Sequence, residues 1–561
     1  MNKLWTDLEQ YYTLTAQTPQ PVETDKRERL ETPDSLARRD FLKLGGVAAV
    51  FSLVGCMQRP AEKIIPYLNQ PEETVPGVAT WYASTCGECQ AACGVLARVR
   101  EGRPVKLEGN PNHPLNQGKL CARGQASLYN LYDPGRMRAP VRRKADGGWE
   151  EADFDTLDTE IAGKLKAANG EVVLVTGAWH GPARVDLVRK FLAGIPGSSH
   201  LRFEVLADQL WLDTLNAAFG TQLPALYAFD RAELVVTFGA DPLAGSTYRM
   251  KYLREFADRR DPESRPMLKL VSFDPAMSET AALADERHPV RGSQLYKVAG
   301  ALARQIISVR RASRYALGDR VDAALAEFDS HKVETELGLA PDTIAKLVDQ
   351  LIAAGSRSLL ISENVSNSGP GGRQLHLLVN LLNYALGAVG STFLLDSVPA
   401  AHRTDSPAAL ARLVKRMADG KVGVVIFCGM NPAHVLPEEA GFAAALARVS
   451  LKVSLSDRLD ETAALCDYVL PSLHGAECWN DAEPQPGVYS LQQPTISPIW
   501  NNRQAEDSLI RIAFLAGNRA FAAGEAPAVW RDYLKNYWKE NVYPATGASG
   551  SFDSFWVGRL R

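Results

Sequence analysis

The run Leu234-Val-Val-Thr-Phe-Gly239-Ala-Asp241-Pro242 decides the fold class. Its first five residues lack a polar alternation, as in a short strand buried on both faces, and Gly-x-Asp-Pro closes it. The design returns at Val424-Val-Ile-Phe-Cys428-Gly429-Met-Asn431-Pro432. In each copy the glycine lets the backbone approach a ligand closely, and the Asp or Asn can cap the next turn of chain. Two copies predict two related, nucleotide-type lobes facing each other.

Further apolar strands are predicted at 172–177, 268–274, 359–362 and 451–456, with helical patterns at 155–167, 299–310, 341–354 and 373–386. Alternation of this kind means parallel sheets with helices on both faces, and ligands at the carboxyl ends of the strands. The expected architecture is α/β with two doubly wound lobes, one from 138–198 and 340–469, the other from 199–339. Helices at 506–516 and 528–539 close the chain within 506–561. The loop Asn364-Val-Ser-Asn-Ser-Gly369-Pro-Gly371-Gly372-Arg373 opens a helix and could cradle an anion on its amides, or serve as a plain connector.

Upstream of the lobes stands Cys86-Gly-Glu-Cys89-Gln-Ala-Ala-Cys93, followed by a loop rich in Gly, Pro and Asn and then Lys119-Leu-Cys121-Ala-Arg123-Gly. Four thiolates in a glycine-punctuated loop can converge on one point, as an iron–sulfur cube or a tetrahedral zinc requires. The unequal gaps favour a cluster over zinc, whose structural sites usually pair two matched C-x2-C units. Two disulfides are the remaining alternative. A small domain is expected over 79–137, with a hairpin around Glu101-Gly102 and the stretch 470–505 packing nearby. His113, in a turn-rich loop, reads as a turn or backbone-bonding residue.

Net charge is -3, which argues against nucleic acid as a partner, and eight cysteines in 561 residues are too few for a disulfide scaffold. Residues 1–34 are polar with no sustained apolar period. Ser35-Leu-Ala-Arg38-Arg39-Asp-Phe-Leu-Lys43 and a short apolar stretch ending in Leu53-Val-Gly-Cys56 come next. Paired arginines before an apolar segment too short to span a bilayer mark a twin-arginine export signal over 1–56. The ending is similar to a lipobox, with Cys56 as the lipidated residue, so the expected location is the outer face of the cytoplasmic membrane, held by a lipid tether. Four prolines between Arg59 and Pro76 predict an extended strap at 57–78.

Together these residues resemble the molybdopterin oxidoreductase superfamily, the bis-MGD enzymes of the dimethyl-sulfoxide-reductase type. The resemblance implies a [4Fe–4S] cluster on Cys86, Cys89, Cys93 and Cys121, with Arg123 bridging cluster and pterin. It also implies cofactor contacts at Gly239, Asp241, Asp274, Gly429 and Asn431. Two further stretches carry it: Glu279-Thr-Ala-Ala-Leu-Ala-Asp285 and Glu461-Thr-Ala-Ala-Leu-Cys-Asp467. Within the superfamily, Lys63-Ile-Ile-Pro-Tyr-Leu-Asn-Gln-Pro-Glu-Glu and Glu101-Gly-Arg-Pro-Val-Lys-Leu-Glu-Gly-Asn-Pro are similar to the large iron–sulfur subunit of alternative complex III.

Departures from the pattern shape the expected function. Where catalytic relatives place a molybdenum ligand, the window Phe203-Glu-Val-Leu-Ala207-Asp208-Gln-Leu offers only Asp208, one position off. A guanine-reading Asp of relatives is replaced within Arg291-Gly-Ser-Gln294, and the family's C-terminal β-barrel is expected to be absent. The sequence is thus read as an iron–sulfur electron-transfer and scaffold subunit of a membrane-bound quinol oxidoreductase complex. Its expected partners are an integral quinone-binding subunit, a ferredoxin-like iron–sulfur chain and a cytochrome c. The alternatives are a catalytic molybdenum bis-MGD enzyme acting on a small substrate, and an assembly platform with structural zinc.

Overall fold

The computed structural model describes residue 75 and residues 77–560, apart from 178, 206, 264 and 265. The chain divides into residues 1–72 and 73–561, and the described residues belong to the second unit. Arg38, Arg39, Cys56 and most of the predicted strap lie outside the described residues.

The chain enters a three-stranded antiparallel sheet, Thr80–Thr85, Gly94–Arg100 and Arg103–Gly109, in that order. Glu101 and Gly102, both at positive φ, make the tight turn expected between the second and third strands. The helix Ala122–Leu131 then lies on the third strand. Residues from 470 onward clamp this sheet from outside. Thr85 Oγ1 donates to Leu491 O (2.8 Å), and His113 Nε2 bonds Ser490 Oγ (3.0 Å). The Arg136 guanidinium, fully buried, donates to Glu477 Oε2 (2.6 Å) and Leu131 O (2.9 Å). Glu477 also accepts from Ile499 N (2.8 Å), so that both charges of the buried pair are hydrogen-bonded.

Beyond it stand the two larger sheets, one to each lobe. The first lobe holds seven strands in the order Trp149–Glu151, Val141–Arg143, Tyr468–Val469, Leu451–Ser454, Val422–Cys428, Glu171–Thr176, Ser198–Arg202. From Tyr468 to Ser198 its neighbours are parallel. Successive residues serve opposite faces: Val424 and Ile426 join one core and Val425 and Phe427 another. Both faces are covered, which is why these strands read as unbroken apolar runs. The C-terminal helices Ala505–Leu515 and Trp530–Tyr537 cover one of them, burying Trp530 and Trp538.

The second lobe is a four-stranded parallel sheet ordered Glu286–Pro289, Lys269–Asp274, Leu234–Phe238, Ser358–Ile361. Phe238 and Phe273 stack within its core, their ring centroids 5.6 Å apart. The strand Ser358–Ile361 corrects the expected lobe boundary, which puts residues 340–469 in the first lobe. That strand pairs instead with Leu234–Phe238, while the helices Thr343–Ala354 and Gly372–Ala385 bury Leu347, Leu351, Leu375 and Val379 in the second lobe's core. Strand pairing is a long-range choice, and a strand buried on both faces carries no mark of which sheet it joins.

Candidate metal centre

Cys86 ends the first strand's turn, and its N–H donates to Cys93 O (2.8 Å), which folds Cys86–Cys93 into a closed loop. Ala92, at φ 43°, makes the sharp step back into the second strand. Gly109 lets the strand pass under the segment that leads to Cys121: a Cβ there would lie 2.4 Å from Gly118 C and 2.6 Å from Lys119 O. Cys121 caps the helix Ala122–Leu131, accepting from Gly124 N at 3.5 Å through its sulfur.

All four cysteines are free thiols, which removes the disulfide alternative. Burial raises Cys86, Cys89 and Cys93, with Cys93 pushed up to about 12, and neighbouring thiolates add to the rise. Deprotonating thiols this close together takes a compensating positive charge, which iron would supply. Cys121 is lowered: burial raises it, but hydrogen bonding from Arg249 and from the Gly124 amide outweighs that. Among the described residues no three His, Cys, Asp or Glu side chains gather so as to hold a metal ion. A cube spreads its four thiolates over separate irons, and the donor set here is the four-cysteine one such clusters use.

The thiols Cys89, Cys93 and Cys121 open into a cavity of about 410 Å3. Its other walls include Asp208, Asp241, Arg249 and Glu363. Arg123 also lines it, and its charge acts on Glu88 and Cys89, holding both below where burial alone would put them. Glu363 is pushed up to about 7 by burial, against the Tyr227 hydroxyl that donates to it at 2.8 Å, and with help from Asp208.

Each oxygen of Asp208 accepts from a backbone amide. It is the N-cap of the helix Gln209–Phe219, with Oδ1 accepting from Trp211 N (3.0 Å) and Oδ2 from Asn364 N (3.0 Å). Ala207 beside it presents only a methyl group to the cavity. Asp208 is thus a helix cap in the cavity wall, and Ala207 offers no donor atom to a metal.

The two Gly-x-(Asp/Asn)-Pro turns share a latch. Asp241 Oδ1 accepts from the Thr280 amide (3.0 Å) and hydroxyl (2.5 Å), and Thr280 Oγ1 in turn accepts from Leu243 N (3.2 Å). Asn431 Oδ1 accepts from the Thr462 amide (3.1 Å) and hydroxyl (2.8 Å), and Thr462 Oγ1 accepts from Ala433 N (3.0 Å). Asp285 and Asp467 close the pattern, each accepting at 2.8 Å from a strand amide, Leu270 N and Lys452 N. Of the six cofactor contacts implied by the resemblance, Arg123 and Asp241 line the cavity. Gly239, at φ 60°, has Asn367 Oδ1 and Leu295 Cδ1 each 2.8 Å from where its Cβ would be, so its close approach is to the protein itself. Asp274 accepts from Ala276 N and the Ser278 hydroxyl, and Gly429 stands at φ 64° beside open space.

Residues 79–133 match the molybdopterin oxidoreductase Fe4S4 domain, which takes in all four cysteines, and residues 136–505 match the molybdopterin oxidoreductase family. The chain belongs to the molybdopterin oxidoreductase family. It carries that family's [4Fe–4S] domain followed by its α/β lobes. The chain is 27% identical over 510 residues to the menaquinone reductase, molybdopterin-binding-like subunit of Nitratidesulfovibrio vulgaris, covering 85% of this chain and 72% of that protein. It is 24% identical to the arsenate respiratory reductase molybdopterin-containing subunit of Shewanella, covering 92% and 69%. Among solved structures, acetylene hydratase from Pelobacter acetylenicus superposes with a TM-score of 0.61 at 16% identity, over 78% of this chain and 70% of that one, a likeness of fold.

Sequence reasoning missed Glu88, Arg249 and Glu363 as cavity residues. Arg249 follows the Asp241-Pro242 turn by one short loop, and the turn was the only signal to look there. Glu363 directly precedes the glycine-rich loop, whose own reading concerned backbone amides.

Proposed function

We propose that this chain is an iron–sulfur electron-transfer and scaffold subunit of a membrane-bound quinol or quinone oxidoreductase complex. One observation carries the reading: at the position of a molybdenum ligand stand Ala207 and a capped Asp208, while the four cluster thiols are intact. The similarity to a subunit named molybdopterin-binding-like in a menaquinone reductase supports it. When bound, the cluster supplies one-electron relay. The chain's own residues hold it, shield it from water and keep cationic side chains beside it. No helix among the described residues is long and apolar enough to cross a membrane, so quinone chemistry is assigned to an integral partner.

The same proposal includes export through Arg38-Arg39 and attachment by lipid at Cys56, on the outer face of the cytoplasmic membrane. Mass spectrometry of the mature protein is expected to begin at a diacylated Cys56; an unmodified Cys56 contradicts the tether. For the electron-transfer role, membranes carrying Cys89→Ser are expected to assemble the complex yet lose quinol-linked electron flow. Unchanged flow with the complex assembled would count against it.

A further inference from the structure

Arg249 is not one of the residues that the four-cysteine motif brings with it. It comes from the second lobe, at the first position of the helix Arg249–Arg259, just past the loop that starts at Asp241-Pro242. That loop is tightly wound: Gly245 N donates to Asp241 O (2.7 Å), Tyr248 N to Ser246 Oγ (3.3 Å) and Arg249 N to Ser246 O (3.3 Å). The guanidinium is held as well, with Nη1 donating to Ala244 O at 3.1 Å. It lines the same cavity as Cys89, Cys93 and Cys121. Cys121, which accepts from the Gly124 amide of its own helix, thus faces a cavity that also holds a guanidinium from another domain.

We infer that Arg249 is a positioning residue of the iron–sulfur centre, donating to the sulfur of Cys121 and setting how easily the cluster accepts an electron. The inference rests on the reading of the four cysteines as cluster ligands. Hydrogen bonds to ligand sulfurs and nearby charge are among the levers by which a protein moves a cluster's potential. Reduction adds one negative charge to the cluster, and a fixed guanidinium stabilises that charge more than it stabilises the oxidised state. It is an arrangement by which the second lobe can act on the cluster without any cofactor in the crevice. The turn Asp241-Pro242, latched through Thr280, holds the base of that loop in place.

The experiment is a redox titration of the cluster's paramagnetic signal in the purified full-length protein, with iron counted on the same samples. Arg249→Met is expected to keep four irons per chain and to show a lower midpoint potential, with Arg249→Lys intermediate. Iron lost from Arg249→Met but kept in Arg249→Lys supports the same contact. A midpoint unchanged in Arg249→Met with iron retained overturns the inference, as does loss of iron from both variants. Absence of iron from the unsubstituted protein would instead bring down the cluster reading itself.

Discussion

The Asp208 carboxylate bridges two elements, with Oδ2 accepting from Asn364 N at 3.0 Å while Oδ1 caps the helix Gln209–Phe219 through Trp211 N. It joins the start of that helix to the loop after the strand Ser358–Ile361, inside the second lobe. A side chain used this way is structural. Asp208→Ala is expected to cost about 1–2 kcal/mol through the lost cap, read as a lower denaturation midpoint, with metal content unchanged. A change in bound metal without a change in stability would restore the ligand reading.

Glu363 gives a pH signature. Its carboxyl is raised to about 7 in the folded chain, chiefly by burial. A raised carboxyl contributes stability below its unfolded value, near 4.5, that is lost as pH climbs through the folded value. Linkage puts the loss at about 3 kcal/mol. Glu363→Gln keeps an acceptor for Tyr227, so its melting temperature is expected to fall less between pH 4.5 and 7 than that of the unsubstituted protein. Parallel pH profiles would contradict the assignment.

The paired latches predict independent losses. Thr280→Val and Thr462→Val each remove a buried hydroxyl that both donates and accepts. Each is expected to cost about 1–3 kcal/mol, and because they sit in different lobes the double variant is expected to show their sum. Strong non-additivity in denaturant titrations would mean that the lobes do not act separately.

Gly109 tests the cluster loop without touching a ligand. The added methyl of Gly109→Ala meets backbone atoms of Gly118 and Lys119, which cannot rotate away. Displacing that segment moves Cys121, so the variant is expected to bind less iron than the unsubstituted protein while its lobes stay folded. Full iron content in Gly109→Ala would show that the loop tolerates the shift.

Much of the fold was legible because the strands are buried on both faces. The runs at Leu234, Leu268 and Val424 have no other use in a chain of this composition, and the glycines after Phe238 and Cys428 mark their ends. The placement of Ser358–Ile361 was not legible, since its four buried residues suit either sheet and only the partner strand decides. The cysteines were legible as a set because their spacing is chemical. The roles of Asp208, Asp241 and Asn431 were not. An Asp or Asn after a strand can face a ligand or accept from a backbone amide, and the partners that settle the matter, Asn364, Thr280 and Thr462, lie from 31 to 156 positions away. Arg249 was hidden for the same reason, sharing a cavity with Cys121 only once the second lobe folds against the iron–sulfur domain.

The central claim is a cluster without molybdenum. Metal quantification on the native complex, paired with a low-temperature paramagnetic spectrum of the reduced protein, tests it most directly. The expected result is about four irons per chain with no molybdenum, and a signal that disappears in Cys89→Ser. Stoichiometric molybdenum, or a reduced protein with no iron signal, would contradict it.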